Sequence, residues 1–189
     1  MTDQAFKSAI SQRLKAIRLQ RQLSLDETAK LTGVSKAMLG QIERQESSPS
    51  ISKLWQIAKG LNVSFSSFFS SSLILKSSQD RFQQDPNIEL SILFPYSSDS
   101  GIEVFELSLT GFHEQHSVAH AVGIIEYVLV LEGVLELFYD DQWHILKAGQ
   151  GTRFSADQKH IYKAQTDRVR FQNIIYYPPI VQLSQNRET

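Results

Sequence analysis

The sequence predicts two unlike domains in tandem, an all-helical bundle followed by an antiparallel β sandwich or barrel. Three observations carry this. Apolar residues recur at helical spacing up to about residue 69; from Ile88 onward the pattern changes to short β-branched and aromatic runs; and a serine-rich stretch lies between the two. The expected division is a helical domain over 1–70, a linker over 71–84 and a β-rich domain over 85–189.

Composition bounds the function. With 189 residues and 41% hydrophobic content the chain can bury two small cores. It contains no cysteine, so disulfides, cysteine-ligated zinc and thiol nucleophiles are excluded. There is no long apolar run and no basic-then-apolar start, so a cytoplasmic location and no membrane partner are expected. The net charge of -1 hides an asymmetry: residues 1–70 hold ten Lys/Arg against five Asp/Glu, and the remainder nine against fifteen. A basic first half favours a polyanion.

The helical elements follow in order. Ile10, Leu14 and Ile17 place a first amphipathic helix over about 5–22. Ser24 with Glu27 forms a capping box for a second, whose inner side is expected to be Leu25, Thr28, Ala29 and Leu31 until Gly33 ends it. Ser35 caps a third, in which Val34, Leu39 and Ile42 supply the anchoring stripe and Met38 packs locally. Ser50 or Ser52 starts a fourth through Leu54, Trp55, Ile57, Ala58 and Leu61, and Phe65, Phe68 and Phe69 indicate a short fifth. Helix, glycine turn and helix in this order make a helix-turn-helix, leaving Lys36, Ala37 and Gln41 on the open face of the third helix. Glutamine suits adenine and lysine suits guanine, while alanine can touch only a thymine methyl.

The spacing of Leu23-Ser24, Ala29, Gly33-Val34-Ser35, Leu39, Ile42-Glu43, Pro49-Ser50, Leu54, Ile57-Ala58 and Leu61-Asn62-Val63-Ser64 resembles the XRE family, the lambda-repressor-like helix-turn-helix bundle of five helices. The resemblance implies contacts to an operator in double-stranded DNA from Ser35, Lys36, Ala37, Gln41 and Arg44, and a buried ion pair between Arg18 and Glu43. Gln45 stands where the family usually has glycine, so a strained turn is expected after the third helix. One module offers few contacts, and a homodimer on two half-sites is therefore expected.

In the second half, strands are expected over 88–94, 103–110, 126–131, 134–139, 143–146 and 169–177, without intervening helices. The run Tyr127 to Leu131 is apolar on both faces and reads as covered on both sides; Glu126 shares a face with Val128 and Val130. His120, Glu126-x6-Gly133 and Gly149-x10-His160 resemble the two motifs of the cupin barrel, the double-stranded β-helix. That resemblance implies metal ligation by His120, Glu126 and His160, although Val122 replaces a second histidine and Ala164 an asparagine. At this stage three readings stand: a divalent zinc or iron site, a small-molecule effector pocket of His120, Glu126, Arg153, His160 and Tyr162, or polar groups satisfied inside the barrel. His113, His116 and His144 carry no assignment. An XRE head and a cupin tail together resemble a class of bacterial one-component transcription regulators, similar to its sulfur-utilisation branch. The alternative is a metal-dependent cupin enzyme, an oxygenase or isomerase, with an accessory DNA-binding module.

Overall fold

The computed structural model describes residues 3–69 and 85–179. The expected linker, with Leu73 to Leu75, lies outside them. In the head, α1 (Asp3–Gln20), α2 (Leu25–Thr32), α3 (Lys36–Glu43) and α4 (Ile51–Gly60) are α-helices, and the expected fifth helix is a single 3₁₀ turn over Phe65–Phe68. Local capping explains the starts. Ser24 and Glu27 form the reciprocal box at α2, Ser35 accepts the Met38 N–H at α3, and Ser50 accepts the Lys53 N–H at α4. Gly33 closes α2 in the left-handed conformation at φ 67°. Ile10, Leu14, Ile17, Leu39, Ile42, Leu54 and Ile57 form the core. One inward assignment is corrected: Leu31 is 54% exposed, and Thr32 faces the core instead, its hydroxyl donating back to the Thr28 carbonyl.

The second half closes as two antiparallel sheets. Among the described residues nine strands, β1 (Ile88–Ser97), β2 (Ile102–Thr110), β3 (Glu114–Ser117), β4 (Ile125–Glu132), β5 (Val134–Tyr139), β6 (Gln142–Lys147), β7 (Gly151–Ser155), β8 (His160–Ala164) and β9 (Arg168–Tyr176), form sheets ordered β1-β2-β9-β4-β7 and β3-β8-β5-β6. Alternation sends Phe105, Leu107 and Leu109 of β2, Val128 and Val130 of β4, Leu135 and Leu137 of β5, and Val169, Phe171 and Ile175 of β9 into one interior. The outer side of β4 is less covered than expected, with Tyr127 38% and Leu129 39% exposed. No described helix is long and apolar enough to cross a membrane.

Gly133 turns β4 into β5 at φ 77°, and a Cβ there would lie 2.3 Å from the Arg168 carbonyl oxygen and 2.5 Å from Thr166 Oγ1. Neither backbone angle nor space admits a side chain. Gly133→Ala is therefore expected to cost about 3 kcal/mol, read as a lowered urea midpoint of the barrel.

Head and barrel share a buried seam. Glu103 of β2 points inward beside Phe105, is fully buried, and accepts the Phe65 N–H at 3.3 Å and the Ser66 N–H at 3.0 Å, so a barrel carboxylate caps the head's 3₁₀ turn. The Tyr177 hydroxyl donates to the same carboxylate, and Ser66 Oγ accepts the Tyr96 N–H at 2.9 Å. Burial pushes the Glu103 carboxyl up from its usual range despite these donors.

Candidate functional sites

The first candidate site is the outer face of α3. Val34, Leu39 and Ile42 are buried, and the helix packs against α1 and α2, while Lys36, Ala37 and Gln41 lie exposed side by side. Ser35 and Arg44 flank them, also exposed. Lys36 Nζ reaches Asp26 Oδ2 at 2.7 Å, and Arg44 pairs with Glu46 at 2.8 Å. Both pairs are solvent-facing and weak, so either cation can exchange its carboxylate for a phosphate. Beneath, Arg18 grips Glu43 through two bonds of 2.6 and 2.8 Å and donates to the Leu23 carbonyl at 2.9 Å. These side chains are only 12% and 8% exposed, which makes the expected pair a structural strut between α1 and α3. Gln45 adopts the left-handed backbone at φ 62°, a strain of about 1 kcal/mol in a residue other than glycine.

The second candidate site lies inside the barrel. Glu126 is fully buried on β4, and His120 Nε2 lies 2.6 Å from its Oε1, with His160 Nε2 at 3.4 Å. Its other oxygen accepts the Asn173 side-chain N–H at 2.8 Å and the Tyr162 hydroxyl. Burial alone would push the Glu126 carboxyl up, but the charge of His160 and hydrogen bonds from His120 and His160 outweigh it and hold the group well below the usual carboxylate range. Burial would lower His160, yet Glu126 beside it and the Gln158 carbonyl raise it. Burial and the Glu126 charge push the Tyr162 hydroxyl well up, so it remains a donor.

This arrangement fits a divalent ion. One atom from each of His120, Glu126 and His160 falls within 4.8 Å of the others. His160 Nδ1 lies 3.0 Å from the Gln158 carbonyl, which fixes the proton there and turns Nε2, buried without a hydrogen-bond partner, toward the cluster. Tyr162 and Asn173 orient the carboxylate in the same way. Two imidazoles and one carboxylate suit zinc or iron.

The comparisons with known proteins bear on the two domains. A helix-turn-helix family profile matches residues 14–68 and a cupin domain profile residues 109–174. The HTH-type transcriptional regulator SutR of Escherichia coli is 44% identical over 170 residues, covering 89% of this chain and 95% of SutR. The chain belongs to the helix-turn-helix transcriptional regulators. The crystal structure of an HTH_3 family transcriptional regulator from Vibrio cholerae superposes on it with a TM-score of 0.88 at 54% identity, covering 94% of this chain and 99% of that one. The immunity repressor protein of Bacillus phage phi105 is 32% identical over 73 residues, 39% of this chain and 51% of that protein.

As a DNA-binding regulator with a cupin domain, the protein is set apart from the enzyme alternative. Within its barrel the structure brings together four of the five expected pocket residues, His120, Glu126, His160 and Tyr162. Arg153 is corrected: on β7 it pairs in register with Tyr127, and both point outward, while Phe154 next to it takes the interior position. Val122, at the lost histidine position, is 79% exposed. Sequence reasoning missed Asn173, although its alternation with Phe171 and Ile175 on β9 marks it as inward. It also missed Ile51 and Trp55 of the regulator's α4, which line the same cavity from the other domain.

Proposed function

We propose that this regulator binds operator DNA as a homodimer, with Lys36, Ala37 and Gln41 of α3 meeting base edges and Ser35 and Arg44 meeting phosphates, and that its cupin cavity senses a small-molecule effector. The observation that carries the reading is the open polar face of α3 on a head whose next helix, α4, roofs the cavity. Ligand binding then changes DNA affinity because the two arrangements of head and barrel differ in their affinity for ligand. His120, Glu126 and His160 would hold a divalent zinc or iron ion, which supplies a positive charge to anchor a ligand donor atom. Around it, Tyr162 and Asn173 would keep the carboxylate oriented, and His160, its Nδ1 proton held by the Gln158 carbonyl, would present Nε2 as the ligand atom. The resemblance to the sulfur-utilisation branch directs the operator search to sulfur-utilisation genes.

Binding to a promoter fragment, titrated with salt by anisotropy, tests the DNA half. Affinity is expected to fall by about tenfold or more between roughly 50 and 200 mM salt, as the two Arg44 cations of a dimer require. A salt-insensitive interaction would remove phosphate contact from the reading. Calorimetry with zinc tests the metal half: stoichiometric uptake by the native protein, lost in His160→Ala, is the expected result, and equal uptake by both proteins would move the ion elsewhere.

A further inference from the structure

The barrel's cavity is closed by a helix of the other domain. Ile51 and Trp55, four residues apart on one face of α4, form its roof. The Trp55 ring lies 4.6 Å from the His120 ring and 6.1 Å from Phe105, centroid to centroid. The rim is stitched by polar contacts: Gln115 Nε2 donates to Ser52 Oγ at 2.7 Å, Ser52 Oγ to the His116 carbonyl at 2.8 Å, and Lys59 Nζ to the Ala119 carbonyl at 2.6 Å. Inside, only about 20 Å³ is open to the centre of a water molecule, room for one or two waters. A second cavity of similar size lies beyond Trp55, toward Ala121, Ile124 and Tyr177, so the indole has free space on both sides.

The wall has one apolar and one polar end. Leu90, Leu107, Leu109 and Phe171 make the first; Gln115, Ser117 and Asn173 stand with Glu126 at the second. Among the described residues, no lysine or arginine lines this cavity. The Glu126 carboxylate has three hydrogen-bonded partners already, His120, Tyr162 and Asn173, whereas Asn173 Oδ1 is buried with no hydrogen-bond partner. An oxyanion entering without a metal would meet the Glu126 carboxylate, with which His160 is already paired at 3.4 Å, and no lysine or arginine along the lining. A neutral donor would instead satisfy Asn173 Oδ1.

The other side of α4 abuts the helix-turn-helix itself. Gln56 Nε2 lies 3.1 Å from where a Cβ on Gly33 would be, and a Cβ on Gly60 would fall 2.4 Å from Thr32 Cα. One helix thus separates the cavity from the turn that presents α3.

We propose that the cavity is a composite site built by both domains, that it takes a compact neutral molecule with an apolar body and one hydrogen-bond donor, and that Ile51 and Trp55 of the DNA-binding head contact that ligand directly. The proposal rests on the reading of the cavity as the effector site. Because the free space is small, a ligand larger than two waters enters by displacing the indole toward the second cavity, which pushes on α4.

Trp143→Phe leaves Trp55 as the sole tryptophan of the full-length protein. In this variant, freed of metal with EDTA, 1-butanol is expected to shift the Trp55 emission saturably with a Kd on the order of millimolar. Butyrate should bind at least tenfold more weakly, and Asn173→Leu, with its fold checked by circular dichroism, should weaken butanol at least fivefold while leaving pentane unchanged. Butyrate binding as tightly as butanol overturns the ligand class. Saturation-transfer signals from butanol without any change in Trp55 emission overturn the composite roof, and the absence of saturable butanol binding by either readout overturns both. Operator affinity measured with saturating butanol separates this from the effector reading. A saturable Trp55 response with unchanged operator affinity supports the composite site and sinks the effector reading; an operator response without a Trp55 response does the reverse.

Discussion

Lys36→Ala combined with Gln41→Ala lowers operator affinity about a thousandfold and leaves the head folded. Each well-made base contact discriminates by about 1 to 3 kcal/mol, and tenfold in affinity corresponds to about 1.4 kcal/mol, so a dimer losing the pair from both heads reaches that range. The fold survives because both side chains are exposed and the Lys36 partner, Asp26, is solvent-facing. The two losses differ in kind. Removing Lys36 should also flatten the salt dependence, whereas removing Gln41 should relax sequence preference at one base pair and leave the salt slope alone. A competition assay with scrambled DNA at two salt concentrations reads both. If the double variant binds like the native protein, α3 does not read the operator.

Glu43→Ala is expected to unfold the head. It strands the Arg18 guanidinium, 12% exposed, with only the Leu23 carbonyl as partner, and an uncompensated buried charge costs about 3 to 5 kcal/mol. A helical domain of this size has little stability in reserve. The expected readout is a loss of helical ellipticity at 25 °C or a midpoint lowered by more than about 10 °C. Replacing both partners, Arg18→Met with Glu43→Met, removes the charge as well as the bond and should recover more than half of the loss. A Glu43→Ala midpoint within about 2 °C of the native value would show that the pair contributes little.

Where interactions are local, the sequence predicted them well. The box of Ser24 and Glu27, the Ser35 cap, the Gly33 turn and the stripe of Val34, Leu39 and Ile42 each span a few residues, and all stand as expected. Gln45 in the left-handed region follows from the same local logic. Failures arose where tertiary packing decides. Leu31 reads as core by type but sits on the open side of α2. The short strands β3, β7 and β8 went unrecognised: Glu114–Ser117 lacks β-branched residues and owes its conformation to pairing with a neighbour, and β7 and β8 are only five residues each. Arg153 joined the pocket list for its charge, and one step of strand parity sends it outward. Trp55 and Asn173 could not be joined to His120 and Glu126 from periodicity alone, since they lie far apart in the chain: Trp55 meets His120 only through the seam between domains, and Asn173 meets Glu126 only through the pairing of β9 with β4.

The Glu103 carboxylate has a bearing on how such regulators diversify. Heads and sensors are commonly regarded as interchangeable cassettes, yet here one cassette ends in two backbone amides whose acceptor is encoded in the other. A chimera carrying residues 1–69 on a foreign barrel without an acid at the equivalent place would bury those amides dry, at a cost of about 1 to 3 kcal/mol each. Successful recombination would have to transplant the acid, and Tyr177 beside it, along with the junction.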